Sequence, residues 1–390
     1  MELKNRSELV FLYDVRDANP NGDPDENKPR IDEETGINIV TDVRLKRTIR
    51  DYLRDFRDQD IFIQPEKIVE EGTELIKTRG AKLIEAVEEI LDKEIGGDDA
   101  RKIKEKLDVI LGEGSKGKRQ DKFNEALGRD VSEEKRRELF GKFEKIRTMK
   151  LKDYLFSKFI DLRLFGATLA VANLGIQEIG AVQFNFGRSL HKVDERNFYK
   201  GSITMPVEAG KGFKMGKRQA EFSEEYRLPY SLINFYGIVN ENEAKNVGLT
   251  EEDVMLLLDG MWNGTKNLIT RSKFGQMPRF LMRVVYNEGN YHIGDLDKKI
   301  RLLDSEGKEV DKDGKDGKEI RYISDVKLDI TELVKTLKAK KDRIEKIQIE
   351  MNDDVAFKVN QVETKGKGLV EELGKLDELK GKVEMLDLEK

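Results

Sequence analysis

The 390-residue chain contains no cysteine, only two histidines and one tryptophan. The absence of cysteine excludes disulfides, thiolate nucleophiles and cysteine-ligated zinc together. His191 and His292 are far apart in the sequence and neither has an obvious partner, so no zinc centre or histidine-based catalytic set is predicted. No apolar run approaches the ~20 residues that span a bilayer, and the N-terminus lacks a basic segment followed by an apolar stretch. We therefore expect a cytoplasmic protein with no cofactor, no bound metal and no membrane partner.

Charge of either sign is abundant: 38% of residues are charged, 37% are hydrophobic, and the net charge is −5. A negative sum argues against a nucleic-acid partner only if the charge is spread evenly. From Gly260 to Asn287 there are five basic residues and no acidic one, and from Gln183 to Arg218 eight basic residues face three acidic ones. The acidic residues concentrate in Glu66–Glu144 and in the C-terminal part of the chain. This segregation is compatible with one cationic surface.

The segment Asn19–Leu53 joins a polar loop to a helix that Thr41 can cap and that runs to about Arg57. Wound at 100° per residue, the apolar residues of this helix share one arc and the basic residues share the opposite arc. The apolar arc holds Leu45, Ile49, Tyr52, Leu53 and Phe56, and the basic arc holds Lys46, Arg47, Arg50, Arg54 and Arg57. A helix with one face for a core and the other for anions suggests a phosphate-backbone binder. A charged face that is merely solvated is the alternative.

Outside its insertions, the chain has the order strand, helix, strand, strand, helix, strand, which is the ferredoxin-like order of RNA-recognition domains and predicts an α+β fold. A charged helical insertion occupies most of the segment from Pro65 to Phe159, and Thr250 and Asp253 have the spacing of a capping box. The predicted strands are Glu8–Arg16, Asp161–Ala172, Glu178–Gly187, Tyr226–Val239 and Arg279–Tyr286, with Ile61–Ile63 as a further candidate. The other predicted helices are Thr250–Trp262, Glu332–Ile347 and Gly368–Lys380.

Three motifs resemble sites of chemistry. The loop from Asp17 to Lys28 begins like a calcium loop, but its twelfth position carries Lys28 in place of a bidentate glutamate. The glycine-rich run Gly210–Arg218 fails as a nucleotide-binding loop because Arg218 stands where serine or threonine is needed. Asp23, Asp25 and Asp32 could hold a divalent ion for phosphodiester cleavage, and turn chemistry accounts for them equally well.

Six segments together resemble the CRISPR-associated backbone subunit (family seven of the RAMP superfamily) of type I Cascade-type surveillance complexes, in its subtype I-B-like branch. The likeness runs from residue 1 to about residue 290. The segments are Asn19–Asp32, Val40–Leu53, Asp161–Ala167, Arg227–Asn240, Leu249–Gly264 and Thr270–Arg279.

The resemblance implies a modified RNA-recognition, ferredoxin-like palm from residues 1–60 and 160–300. Residues 61–159 would be helical fingers, 188–225 a long thumb hairpin within the palm, and 301–390 a charged extension that partly packs on the palm. Copies would polymerise head to tail along the spacer of a guide crRNA, beside the foot, cap and large subunits. Each thumb would insert between nucleotides and leave the other bases free to pair with target DNA.

A guide must be held whatever its sequence, so contacts are expected at phosphate and sugar, from arginine and lysine side chains. The predicted RNA-binding residues are Arg44, Lys46, Arg47 and Arg50; then Lys266, Arg271 and Lys273; then Arg188, His191, Lys214, Lys217 and Arg218 in the thumb. Phe213 and Met215 are the candidate wedges between bases.

The resemblance predicts a subunit with no catalytic residue, and two alternatives stay open. The first is a metal-dependent ribonuclease, because related backbone subunits of type III complexes cut target RNA with an aspartate in such a loop. Asp23, Asp25 and Asp32 would be its candidates. The second is a structural or assembly protein whose basic faces are merely solvated.

Overall fold

The computed structural model describes residues 3–64, 87–88, 90–91, 94–113, 115–128, 130–169, 176–194, 199–205 and 221–388, and these form a mixed α/β fold. The strands are β1 (Ser7–Ala18), β2 (Ile37–Val40), β3 (Gly166–Leu169), β4 (Ile176–Ile179), β5 (Val182–Phe184), β6 (Gly187–Lys192), β7 (Tyr199–Met205), β8 (Glu221–Val239), β9 (Gln276–Tyr286), β10 (Arg301–Asp304), β11 (Val326–Asp329), β12 (Ile344–Met351), β13 (Ala356–Val359), β14 (Val362–Lys365) and β15 (Val383–Met385). The helices are α1 (Asp42–Arg57), α2 (Gly97–Lys104), α3 (Leu107–Gly112), α4 (Lys116–Leu127), α5 (Glu133–Lys158), α6 (Ile160–Phe165), α7 (Glu241–Val247), α8 (Glu251–Lys266), α9 (Thr331–Ala339) and α10 (Gly368–Gly374).

The main sheet is centred on β1, whose aromatic and β-branched residues are buried on both faces. Its strand order is β15-β12-β9-β1-β8-β6-β2. The neighbouring strands are antiparallel, except that β15 runs parallel to β12. The four strands β9-β1-β8-β6 therefore form the middle of the sheet, with α1 between β1 and β6 in the chain and α8 between β8 and β9.

Helices α1 and α8 pack closely on each other because α8 has glycine at the contact. A Cβ on Gly260 would lie 2.9 Å from Cγ2 of Ile49, and a Cβ on Gly264 would lie 3.0 Å from Cβ of Tyr52. Ile49 and Tyr52 lie on the apolar arc of α1 and are buried as that arc predicts. The sequence prediction of α1, with Thr41 as its cap, is confirmed, and so is the capping box of Thr250 and Asp253 at the start of α8.

The C-terminal region adds β12 and β15 to the main sheet and forms a second sheet of order β10-β11-β13-β14. Glu8 of β1 is fully buried and connects this region to the sheet. Its carboxylate accepts hydrogen bonds from the Tyr236 hydroxyl at 2.5 Å, from the Tyr286 hydroxyl, and from the backbone N–H groups of Ile293 and Gly294 at 2.8 and 2.9 Å. A buried carboxylate with this many donors is well satisfied.

Several predicted elements differ from the structure. The predicted Glu178–Gly187 strand is divided between β4, which ends at Ile179, and β5 (Val182–Phe184). Residues 160–165 form helix α6, so only Gly166–Leu169 of the predicted Asp161–Ala172 strand is extended among the described residues. Ile61–Ile63 is not a strand, because the backbone N–H groups of Phe62 and Ile63 donate to the carboxylate of Asp161. The predicted Glu332–Ile347 helix ends at Ala339, and β12 begins at Ile344 because its alternating apolar residues pair with β9.

The predicted helix Gly368–Lys380 ends at Gly374. Residues of the predicted thumb form an antiparallel ladder between β7 and the first part of β8. No helix in the described parts of the chain has the length and apolar character needed to span a bilayer.

Candidate nucleic-acid interface

The basic residues of α1 mostly meet carboxylates of the protein itself. The Lys46 Nζ lies 2.9 Å from a carboxylate oxygen of Asp42. The Arg47 Nε lies 2.6 Å from a carboxylate oxygen of Asp51, and the Arg54 Nε lies 2.6 Å from one of Asp55. The remaining two pairs are Arg57 with Asp259 and Arg50 with Asp161. The cationic arc of this helix is therefore largely neutralised before any ligand arrives.

Arg50 and His191 lie inside the protein. The Arg50 Nε donates to Asp161 at 3.1 Å, and its guanidinium lies 5.0 Å from the ring centroid of Phe165. The Nε2 of His191 accepts a hydrogen bond from the backbone N–H of Leu232, while its ring stacks on Tyr230 and burial lowers its pKa. Both side chains are satisfied internally, and we leave them out of the proposed interface.

Arg44 differs from the other cations of α1. Its Nη2 donates to the Thr48 hydroxyl at 2.9 Å, and its Nε is buried without a hydrogen-bond partner in the described parts of the chain. Burial lowers the pKa of this guanidinium. Among the described residues, no carboxylate forms an ion pair with it.

Lys273 lies near Arg44 although it comes from the loop between α8 and β9. Its Nζ donates to the backbone carbonyl of Asn19 at 3.1 Å. Burial, together with the positive charge of Arg44, lowers the pKa of Lys273 to about 8. The two half-buried cations repel each other and form no ion pair with a described carboxylate. An anion bound beside them would therefore be stabilised by both charges.

Short polar contacts hold the elements of this site together. The backbone N–H of Asn19 donates to the carbonyl of Ser272 at 2.7 Å, which joins the end of β1 to the Lys273 loop. The Asn21 Oδ1 accepts from the backbone N–H and the hydroxyl of Thr41 at 2.9 and 2.8 Å, which joins the Asn19 loop to the start of α1. Gly275 has a φ of +98°, and a Cβ there would lie 2.8 Å from the carbonyl of Arg16, so the loop requires glycine.

Arg227 is a positioning residue that sequence reasoning missed. Its Nη1 donates to the carbonyl of Asp17 at 3.2 Å, and its Nη2 donates to the carbonyl of Arg271 at 2.8 Å. It therefore links β8 to the end of β1 and to the loop that carries Lys273. Its place at the start of the segment Arg227–Asn240, one of those that carry the resemblance, was the available signal.

The other predicted RNA-binding residues lie on several different elements. Arg188 is exposed and lies 3.6 Å from Asp32, and Arg271 is exposed and lies 3.3 Å from Glu225. Lys266 is exposed at the end of α8. Five residues fall outside the described residues, namely Lys214, Lys217, Arg218, Phe213 and Met215.

Asp23 and Asp32 of the Asn19–Asp32 loop accept hydrogen bonds from the backbone, and Asp25 is exposed. The Asp23 carboxylate accepts four backbone N–H groups, from residues 25 to 28, and these bonds lower its pKa. Asp32 accepts from the N–H groups of Glu34 and Thr35, and its pKa is lowered likewise. Within the described residues, no group of three or more potential metal ligands converges. This geometry does not favour the ribonuclease alternative.

Comparisons with known proteins agree with one another. A family model described as CRISPR-associated protein Cas7 matches residues 5–331. A CRISPR-associated protein Cas7 from Haloferax volcanii is 34% identical over 353 residues, which cover 90% of this chain and 87% of that protein. Two solved chains from a CRISPR RNA-guided surveillance complex, one of them pre-nicking, align with TM-scores of 0.45 and 0.44 at 15% and 12% identity. Each of these alignments covers 92% of this chain and 93% of the other. At such scores they carry no further weight, whereas the two sequence matches span most of the chain.

Proposed function

Because the chain belongs to the CRISPR-associated protein Cas7 family, we propose that it is a non-catalytic backbone subunit of a type I, subtype I-B-like, Cascade-type complex. It binds the spacer of a guide crRNA in the cytoplasm and requires no cofactor. Copies assemble head to tail on the guide, with foot, cap and large subunits as further partners. The bound guide remains available for pairing with target DNA.

The strand order supports an RNA-recognition-type palm. The strands β9-β1-β8-β6 have the 4-1-3-2 order of a ferredoxin-like sheet, and α1 and α8 occupy its two helix positions. In this proposal, residues 61–159 are the fingers, residues 188–225 the thumb, and residues 301–390 an extension of the palm.

The observation that carries the proposal is the Arg44 and Lys273 pair. A sequence-indifferent RNA site needs cations aimed at phosphate and no demand on base edges. These two cations come from separate elements, lie near each other, and have no ion-pair partner among the described carboxylates. A guide phosphate would satisfy the unpaired Nε of Arg44 and offset the repulsion between the two charges.

The test is RNA binding by the full-length chain with Arg44→Gln and Lys273→Gln combined. We expect the double variant to lose its co-purifying RNA. In a plot of log affinity for single-stranded RNA against log salt concentration, we expect the slope to be smaller in magnitude by about 1.4, because two phosphate contacts are lost. The matched control combines Arg54→Gln with Lys312→Gln. Both of these residues carry an ion pair, with Asp55 and Glu309, and both changes remove the same charge.

Thermal unfolding of both double variants establishes that each is folded. Equal RNA recovery and equal salt slopes for the two double variants would contradict the proposed interface. Cleavage of target RNA by the purified complex with Mg²⁺ or Mn²⁺, abolished by Asp25→Ala, would replace the proposal with the ribonuclease alternative.

A further inference from the structure

The loop that carries Lys273 also borders an open cleft of about 740 Å³. Phe274 and Gly275 of this loop form one side of the cleft. The ends of β1, β8 and β9 form its floor, and the C-terminal region supplies the opposite wall through Arg321–Ser324, Asp354 and Lys365. The cleft therefore lies between the main sheet and a part of the chain to which the sequence assigned no role.

The floor of the cleft contains hydrogen-bond donors without acceptors. Gln276 is 6% exposed, and its Nε2 has no hydrogen-bond partner among the residues that the structure describes. Within the same residues, the Nε of Arg279 also lacks a partner, although its Nη2 lies 2.9 Å from Asp14. The Asp14 carboxylate is already occupied, since it also accepts from the Tyr230 hydroxyl at 3.0 Å. Buried donors without acceptors cost free energy, and a ligand that presents acceptors would remove that cost.

The rim of the cleft combines positive charge with exposed aromatic rings. Six basic and three acidic side chains line the cleft. Arg16, Arg227 and Arg279 form ion pairs with Asp17, Glu225 and Asp14, and the other three basic residues are Lys266, Arg321 and Lys365. The Phe274 ring is 65% exposed, and the Tyr322 ring is 47% exposed. The Arg16 guanidinium lies 4.5 Å from the centroid of the Tyr322 ring. Flat rings beside cations are the combination that binds nucleobases together with their phosphates.

We propose that this cleft binds one nucleotide unit of single-stranded RNA. The base stacks on Phe274, its edge accepts a hydrogen bond from the Gln276 amide, and its phosphate lies on the basic rim. An acidic peptide would use the rim but would leave the exposed rings without a flat partner. The inference deepens the proposed function and rests on RNA being the ligand, but its residues differ from Arg44 and Lys273.

The experiment titrates AMP and UMP into the nucleic-acid-free, full-length protein by calorimetry. Ribose 5-phosphate is the base-free probe, and an aspartate-rich peptide represents an acidic protein partner. We expect the nucleotides to bind at least about tenfold more tightly than ribose 5-phosphate, and Phe274→Ala to weaken AMP about tenfold, in line with the loss of one stacking contact. Gln276→Leu should weaken AMP and leave ribose 5-phosphate unchanged.

The control variant is Val362→Ala, which removes an exposed apolar side chain that does not line the cleft. Ribose 5-phosphate binding as tightly as AMP, a preference for the peptide, or AMP affinity that survives Phe274→Ala would each overturn the inference. Failure of the proposed function would give a different result: the Arg44→Gln, Lys273→Gln double variant would bind long single-stranded RNA as tightly as the unchanged protein.

Discussion

Lys273 combines two conditions that disfavour its charged form: it is half-buried, and Arg44 lies near it. A bound phosphate group would offset the cost of both conditions to the charged form, because it supplies a negative charge and hydrogen-bond acceptors. RNA binding at this site should therefore favour protonated Lys273. The pKa of about 8 places this coupling within an accessible pH range.

The first residue-scale prediction concerns pH. The free protein loses the Lys273 proton above pH 8, whereas bound phosphate raises the pKa, so binding takes up a proton. RNA affinity should fall above pH 8 by up to about tenfold per pH unit until the pKa of the complex is reached. Filter binding from pH 7 to about 10 measures this. Lys273→Arg is the control, because arginine does not titrate in this range; an unchanged pH profile for that variant would remove Lys273 from the interface.

The second residue-scale prediction concerns Arg147 of α5, which is 1% exposed. Among the described residues, its three guanidinium nitrogens have no hydrogen-bond partner, and its ion-pair oxygen, of Glu144, is 3.9 Å away. Burial, with the nearby charge of Arg119, lowers its pKa to about 10. Replacing a buried charge without hydrogen bonds by an apolar side chain is often stabilising. We expect Arg147→Met to raise the free energy of unfolding by about 1–3 kcal/mol in urea denaturation.

Arg119→Met is the comparison for that experiment. Arg119 is equally buried, but it donates to both oxygens of Glu144, at 2.9 and 3.0 Å. Its removal should destabilise the protein by about 3–5 kcal/mol because the carboxylate loses its partner. If both variants changed the free energy of unfolding in the same direction, the contrast between an unpaired Arg147 and a paired Arg119 would be wrong.

At the scale of elements, helix α1 serves the fold and the interface with different residues. Arg50 joins α1 to α6 through Asp161, which is fully buried and also accepts two backbone N–H groups. Arg44 lies on the same helix and has no such partner among the described carboxylates. The helix therefore carries the structural charge of Arg50 and the charge that we propose to bind RNA, that of Arg44, within two turns.

The element-scale prediction follows from the Arg50–Asp161 pair. Arg50→Ala should destabilise the protein by about 3 kcal/mol, because Asp161 would keep a buried charge without its cation. Arg54→Ala should change stability by no more than about 1 kcal/mol, since its ion pair is exposed. Chemical denaturation compares them. If the Arg50→Ala protein had normal stability but no longer bound RNA, Arg50 would be an RNA-binding residue and not a structural one.

At the scale of the whole molecule, we propose a head-to-tail contact between copies that leaves the assembly open and does not form a closed ring. Such contacts extend until a template ends, so the guide sets the number of subunits. We expect the mass of the complex, measured by native mass spectrometry, to increase in whole-subunit steps as the spacer of the guide is lengthened. A constant copy number across spacer lengths would contradict assembly along the guide.

The spacing of apolar and polar residues predicted correctly those helices and strands whose conformation depends mainly on residues close in the sequence. The apolar arc of α1, the Thr250 capping box and the buried strand β1 all follow from side-chain spacing within one element. Pattern failed at residues 160–165, where an apolar run fits a strand or a buried helix equally well. The identity of the family followed from the motifs of the first 290 residues.

The partners of the charged residues could not be read from the sequence. Spacing placed Arg44 beyond the basic arc of α1 and Arg50 within it, yet Arg50 pairs with an aspartate 111 residues away and is buried. Likewise, Lys273 meets the carbonyl of Asn19 across 254 residues. The sequence by itself therefore determined which faces are apolar and which are basic, because that depends on helix and strand periods. Only the tertiary structure decided which cations remain available for an anion, since Coulomb and desolvation energies depend on distance and burial.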